Sequence, residues 1–389
     1  MNNLIMEVRE YASPFFGFKS FIFTLIFAGL MASCDINKSV EGCMQEECQN
    51  YDSLATVDDG SCVCDSNAVV YTMNLMLTNY ANNVVVPLYE NLQSKLDTMQ
   101  NLVNSNASIQ DLQESCISVT KAWNHCAVFV FGPGENIGLA ATMNTFPTDT
   151  SLIEANIASE DYNLAIASNF IAKGLPGLDY LFFAKSNLTQ QEYKYAKDIT
   201  DDMVTSVATV LNNWTASYSE EFISREGNDV ASSLGIMVNT FNQQVDLIKG
   251  AKVGIPLGKK SLGETLETQV EGYFSAKTND YLIATIEGLK YAFTGSIDTS
   301  DKVGMDDYLN SLGAMHSGSK TLSEAINNQF ETSVQTVEAL SMTLADAIID
   351  ENDKANTIYA SLVDLIIMTK SDMPSAMSIA ITYQDNDGD

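Results

Sequence analysis

Residues 112–130, LQESCISVTKAWNHCAVFV, decide the architecture. Leu112, Cys116, Val119, Trp123, Cys126 and Val130 follow one another in steps of four and three. On a helix of about 3.6 residues per turn, such steps put every one of these side chains on a single face, whereas a strand needs apolar residues at alternate positions. Ser108, three residues before Asp111, resembles a capping box that would start this helix. The same Ser/Thr-x-x-Glu signal recurs at Thr189/Glu192, Ser261/Glu264 and Thr321/Glu324, each before a helical pattern.

Further stripes extend the pattern. Leu234, Met237, Phe241, Val245 and Ile248 form one, with Gly250 placed as a C-cap. Ile326, Phe330, Val337, Leu340, Leu344 and Ile348 form another, broken once by Ser333. Long alternating patterns are absent, and Ser378–Tyr383 alone reads as a short extended segment. Stripes of this width belong to helices packed in bundles. The expected fold is all-α: two four-helix bundles side by side, over 66–226 and 227–389, joined near 224–230 and preceded by a small Cys-rich module over 34–65.

Ahead of that module lies an uncharged run, Phe21–Ala32 (FIFTLIFAGLMA), with Lys19 just before it. As a helix it would rise about 18 Å, too short for the roughly 30 Å core of a bilayer. The length fits the apolar region of a signal peptide. Met31-Ala32-Ser33-Cys34 looks like the lipobox cut by the bacterial lipoprotein signal peptidase, with Cys34 receiving the lipid. Residues 1–33 therefore read as a signal peptide, and the protein as an extracytoplasmic, lipid-anchored component of a bacterial cell envelope. An ordinary secretory cleavage is the competing reading.

Composition narrows the partners. The chain carries 20 Lys and Arg against 50 Asp and Glu, a formal net charge of −30. Removal of 1–33 takes away Arg9 and Lys19 with Glu7 and Glu10, so the whole deficit stays with the mature protein. Such a field repels phosphate backbones, which argues against nucleic acid, and draws cations only diffusely. Cys43, Cys48, Cys62 and Cys64 crowd one loop-rich stretch. Outside the cytoplasm that spacing argues for disulfides, with three connectivities open and zinc as the alternative. Cys116 and Cys126 lie on one helical face about 15 Å apart, too far to pair with each other, and read as buried thiols.

The usual catalytic constellations are missing. His125 and His316 sit in no zinc-protease pattern, and no Walker loop, dinucleotide fingerprint or Gly-x-Ser-x-Gly elbow is present. His125, beside the apolar stripe, reads as a partly buried, hydrogen-bonded side chain, and His316 as a helix-end or loop residue.

Several segments, in order, resemble imelysin-like proteins. These are Tyr80–Leu92 (YANNVVVPLYENL), Ala122-Trp123, Phe131-Gly132-Pro133 and the turn Phe146-Pro147-Thr148-Asp149. They continue with Lys173–Leu181 (KGLPGLDYL), Ile255-Pro256-Leu257-Gly258, Glu271–Ser275 (EGYFS) and the ending Ile381–Asp389 (ITYQDNDGD). The resemblance implies two four-helix bundles, a site in the cleft between them, and an extracytoplasmic role linked to iron or other metal uptake, with a metal-uptake protein as partner. It also carries a metallopeptidase label. In the family's Gly-x-His-x-x-Glu signature, His and Glu share a helix face and can share a metal. Here Pro176 takes the His position and Asp179 the Glu position, so the best ligand is gone.

The expectation is thus a non-enzymatic accessory protein binding a metal, a metal complex or a partner protein, with a peptidase or a pure interaction module as alternatives. The candidate cleft residues are Trp123, Gly174, Pro176, Asp179, Pro256, Gly258, Glu271 and Ser275. Any metal would be iron or another hard cation held by carboxylates from Asp179, Glu271, Asp385 and Asp387. The last two alternate with Asp389 around Gly388 like the opening of a calcium loop, or simply form a solvated acidic tail.

Overall fold

A computed structural model describes residues 39–44, 51–62 and 72–383. Cys34 and the segment before it, Cys48, Cys64, and the tail with Asp385 and Asp387 lie outside the described residues. The chain forms two compact units that divide at residues 69 and 70.

In the first unit, β1 (Glu41–Gly42) pairs in parallel with β2 (Val57–Asp58). A Cys43–Cys62 disulfide joins the two ends of this small element. Among the described residues of the unit Cys43 supplies the buried apolar contact, so the covalent link takes over what a core would do in a larger domain.

The second unit is helical. A helical run through Met73–Asn79 and a π-helical turn Tyr80–Val85 leads into α1 (Val86–Asn104). There follow α2 (Ile109–Cys126), α3 (Thr150–Ser159), α4 (Gly174–Phe183) and α5 (Gln190–Asn213). The second half holds α6 (Ser233–Leu247), α7 (Thr278–Thr294), α8 (Leu322–Glu338) and α9 (Asn352–Ile367). The starts are chemically marked. Ser108 accepts from the Asp111 amide, and Thr189/Glu192 and Thr321/Glu324 close full capping boxes that satisfy otherwise orphaned amides.

The stripe of α2 is buried from Leu112 to Cys126. The helix stops at Cys126, and Val130 lies beyond a 3-10 turn, Ala127–Phe129. In the first half α2 packs on α1, and α1 on α5; in the second, α8 packs between α7 and α9. The halves meet along α2 and α7. Gly288 permits this approach: a Cβ there would stand 2.6 Å from the Asn124 carbonyl oxygen. Core residues of both halves form one continuous apolar cluster, in which Phe241, Phe293 and Phe330 pack ring against ring. The Tyr80 hydroxyl donates to the Ala292 carbonyl at 2.7 Å and accepts from the Met305 amide at 3.0 Å, a second tie across the halves.

Four local readings change. Gly250 does not end its helix, because the chain continues through a π-helical stretch, Ile248–Gly254. Ser261 and Glu264 make a loop contact in which the Ser261 hydroxyl donates to the Glu264 carbonyl, so no helix starts there. His316 belongs to β3 (Met315–Ser317), paired with β4 (Lys320–Thr321) in a small hairpin whose turn contains Gly318 at φ +63°. Among the described residues Ala380–Thr382 joins no sheet; the Asn239 amide serves its backbone instead, donating to Ala380 O at 3.0 Å and accepting from Thr382 N at 2.7 Å.

Candidate functional site

Two backbone features bring the candidate residues together. Gly174 opens α4 at φ +69°, and a Cβ there would lie 2.5 Å from the Met143 carbonyl oxygen. Glycine is therefore required where α4 crosses the preceding segment. Behind it, buried Lys173 is held by Asp202 at 2.7 Å. On the other side, Gly258 at φ +82° turns the chain after Pro256, whose carbonyl accepts from the Leu266 amide at 2.8 Å. This starts the irregular loop 258–277 that runs in front of α4.

Asp179 meets that loop. One oxygen, Oδ2, accepts from the backbone amides of Phe274 at 3.1 Å and Ser275 at 3.4 Å. The other, Oδ1, is buried and has no hydrogen-bond partner among the described residues. The whole residue is 5% exposed. Burial pushes its carboxyl up to about 6, against the lowering effect of Ser275 and the two amides, while the nearby Glu271 charge adds to the rise. Deeper still lie Cys116 and Tyr281, both within electrostatic reach of Asp179, and burial raises both above their ordinary values.

Glu271 has the opposite surroundings. Its Oε1 accepts from Asn144 at 2.6 Å, and its Oε2 accepts from Lys252 at 2.6 Å and from Asn124 at 3.4 Å. Lys252 also donates to Asn124 Oδ1 at 3.1 Å and Thr285 Oγ1 at 2.8 Å, which uses all three of its protons. Asn124 and Asn144 come from the first half, Lys252 and Thr285 from the second. This buried ion pair therefore fastens the halves.

Asp179 and Pro176 line a pocket of about 370 Å³. Phe146, Pro147, Tyr273 and Phe274 give it flat apolar walls, and Thr148, Thr268 and Gln269 give it polar ones. The Phe146–Pro147 peptide is cis, and Asp149, at the end of the same turn, caps α3 through the Leu152 amide at 3.0 Å. No Lys, Arg or His is among the lining residues, so the charge on the pocket wall is that of Asp179.

The expected cleft residues thus divide. Pro176 and Asp179 stand on the pocket wall, Ser275 supports Asp179, and Glu271 lies beside it in the ion pair. Gly174, Pro256 and Gly258 shape the backbone. Trp123 is buried core, while its neighbour Asn124 reaches Glu271. The candidate site residues did not include Lys252, Asn124 or Asn144, and Phe146 entered only as part of the Phe-Pro-Thr-Asp turn. Lys252 left a signal: it falls four residues after Ile248, in line with the apolar stripe, where a charge needs a partner. Among the described residues no three His, Cys, Asp or Glu side chains stand together as a metal would need. His125 is partly buried and contacts Glu287 at 2.9 Å.

Comparison with known proteins follows the fold. No curated protein matches the chain. An imelysin-like protein from Psychrobacter arcticum 273-4 has a similar structure, with TM-score 0.64 and 18% identity, over 81% of this chain and 99% of that one. A protein described as an iron-regulated protein A precursor, from Parabacteroides distasonis ATCC 8503, is similar at TM-score 0.65 and 16% identity, over 80% of this chain and 97% of that one. The family model for Imelysin, peptidase M75, matches residues 77–367. With its helical halves joined through one core and its motifs in order, this chain belongs to the imelysin family.

Proposed function

We propose that this protein is a lipid-anchored, extracytoplasmic accessory in the uptake of iron or another metal, and that it binds its ligand without chemistry at the Asp179 pocket. The lipobox ending in Cys34 supports the location. Family membership, together with a similar structure described as iron-regulated, supports the metal connection. The observation that carries the site is Asp179, a buried carboxylate among the residues that line a pocket with aromatic walls, one of whose oxygens, Oδ1, has no hydrogen-bond partner among the described residues. A buried polar group left unpaired costs about 1–3 kcal/mol, so its retention points to use rather than to folding.

The donor set does not fit a bare ion. Hard cations take six or more oxygens. Asp179 offers one free oxygen, Pro176 replaces the family's imidazole, and Glu271 is saturated by Lys252 and two amides. The pocket suits the organic part of a metal complex, which brings its own ligands to the metal. A peptidase reading would need an activating ion, and the described residues assemble no ligand set for one.

Radiolabelled iron uptake tests the reading. Under iron limitation, cells lacking the protein should take up less iron, and cells carrying Asp179→Ala at native abundance should share most of that loss. Unchanged uptake in both strains would overturn it.

A further inference from the structure

The pocket's own chemistry says more about what it holds, on the premise above that the Asp179 pocket is the binding site. Its walls combine the faces of Phe146, Tyr273 and Phe274 with a single buried carboxylate and no cationic side chain. One ammonium, Lys252, stands 6.0 Å from the Phe146 ring centroid, but all its protons are committed to Glu271, Asn124 and Thr285. An anionic ligand would face Asp179 with nothing to offset the repulsion. A neutral apolar ligand would leave the Asp179 charge uncompensated. A cation with N–H donors would offset the Asp179 charge, and its flat or alkyl body would pack on the rings.

The geometry points to a ligand bearing a protonated amidinium, guanidinium or ammonium group, seated with its N–H donors on Asp179 and its body against Phe146, Tyr273 and Phe274. Two features favour strong recognition. Oδ2 is fixed by the Phe274 and Ser275 amides, so the carboxylate is already oriented. Asp179 as a whole is already largely withdrawn from water, so most of its desolvation belongs to folding and not to binding. The volume, about 370 Å³, lies in the range of pockets for small organic ligands or one long side chain. The cation could belong to a free small molecule or to an arginine or lysine of a partner protein; the recognised chemistry is the same.

The test is calorimetric titration of the whole mature protein, purified from the envelope in mild detergent. The probes are benzamidine, its neutral analogue benzamide, benzoate, and the peptide acetyl-Gly-Arg-Gly-amide. Benzamidine or the peptide should bind, with benzamide and benzoate at least about tenfold weaker. Asp179→Asn should lose at least about tenfold of the cation affinity. Thr268→Lys, which adds a charge at an exposed rim position without touching the core, should weaken it several-fold. Tighter binding of the peptide than of benzamidine would assign the cation to a partner protein, and the reverse order to a free ligand. Equal binding of benzamide and benzamidine, cation affinity untouched by both substitutions, or no binding of any probe would overturn the inference. Failure here with iron uptake still dependent on Asp179 would remove the cation and leave the uptake reading. Cation binding with normal uptake in the deletion strain would do the reverse.

Discussion

Glu271 and Asp179 are buried carboxylates at the same junction, 6% and 5% exposed, and the protein treats them differently. Around Glu271 both oxygens accept, from an ammonium and two side-chain amides, and the ammonium's other protons go to Asn124 Oδ1 and the Thr285 hydroxyl. Around Asp179 one oxygen is held by two backbone amides, and the other has no hydrogen-bond partner among the described residues. Burying a charge is tolerable when it is paired and hydrogen-bonded, and costly otherwise. The first site therefore reads as a fastener, the second as a place left open for something else. Substitutions at the two sites should have opposite signs.

The largest effect is expected at the fastener. Lys252→Met leaves Glu271 charged, buried and unpaired, and should lower unfolding stability by about 3–5 kcal/mol in urea titration. Glu271→Gln should cost less in the Lys252→Met background than alone. Equal costs in the two backgrounds would show that the pair is not coupled.

A second test uses pH. The Asp179 carboxyl lies at about 6 in the folded protein against 3.8 for the free side chain, raised by burial, with Glu271, Cys116 and Tyr281 the titratable groups facing it. Between these values the folded state binds more protons than the unfolded one, so this site lowers stability as pH rises from about 4 to 6, then stays level. The penalty amounts to about 3 kcal/mol. Asp179→Asn should flatten that part of the stability profile and leave the protein at least as stable at pH 8. An unaltered profile would remove Asp179 from this role, and marked destabilisation at pH 8 would make it a second fastener.

Smaller effects sharpen the contrast with solvent-facing charges. The exposed pair Lys194–Asp198, at 2.9 Å, should contribute about 0.5 kcal/mol or less in a double-mutant cycle. The thiols of Cys116 and Cys126, free and buried, should react slowly with an exposed-thiol reagent until denaturant is added. Rapid labelling of the native protein would show that the junction opens readily.

Much of the scaffold could be read from spacing, because caps and stripes are local. Ser108, Thr189 and Thr321 start helices as their sequences imply, and the stripe from Leu112 to Cys126 is buried. The site was only half visible. Pro176, Asp179 and Glu271 stood out by position, yet what distinguishes the carboxylates is the set of donors facing them. Those come from residues 95 and 96 positions away for Asp179, as backbone amides that any residue possesses. For Glu271 they come from Asn124 and Asn144, which on their own sequence resemble ordinary polar residues. Gly250 misled because a π-helical stretch carries the chain on past it, and that stretch is what brings Lys252 to the junction. Ser261/Glu264 misled because the same two residue types can close a loop as well as a helix.

Gly288 has a wider consequence. Where the backbones of α2 and α7 come so close, with a hydrogen bond network and a shared apolar core beside them, the halves cannot swing apart like jaws. On the reading proposed above, ligand entry would then call for no more than small displacements of the 258–277 loop and its rings, leaving the frame still. On that reading the protein would act as a rigid socket, and its capture rate would be set by side-chain rotation rather than by domain movement.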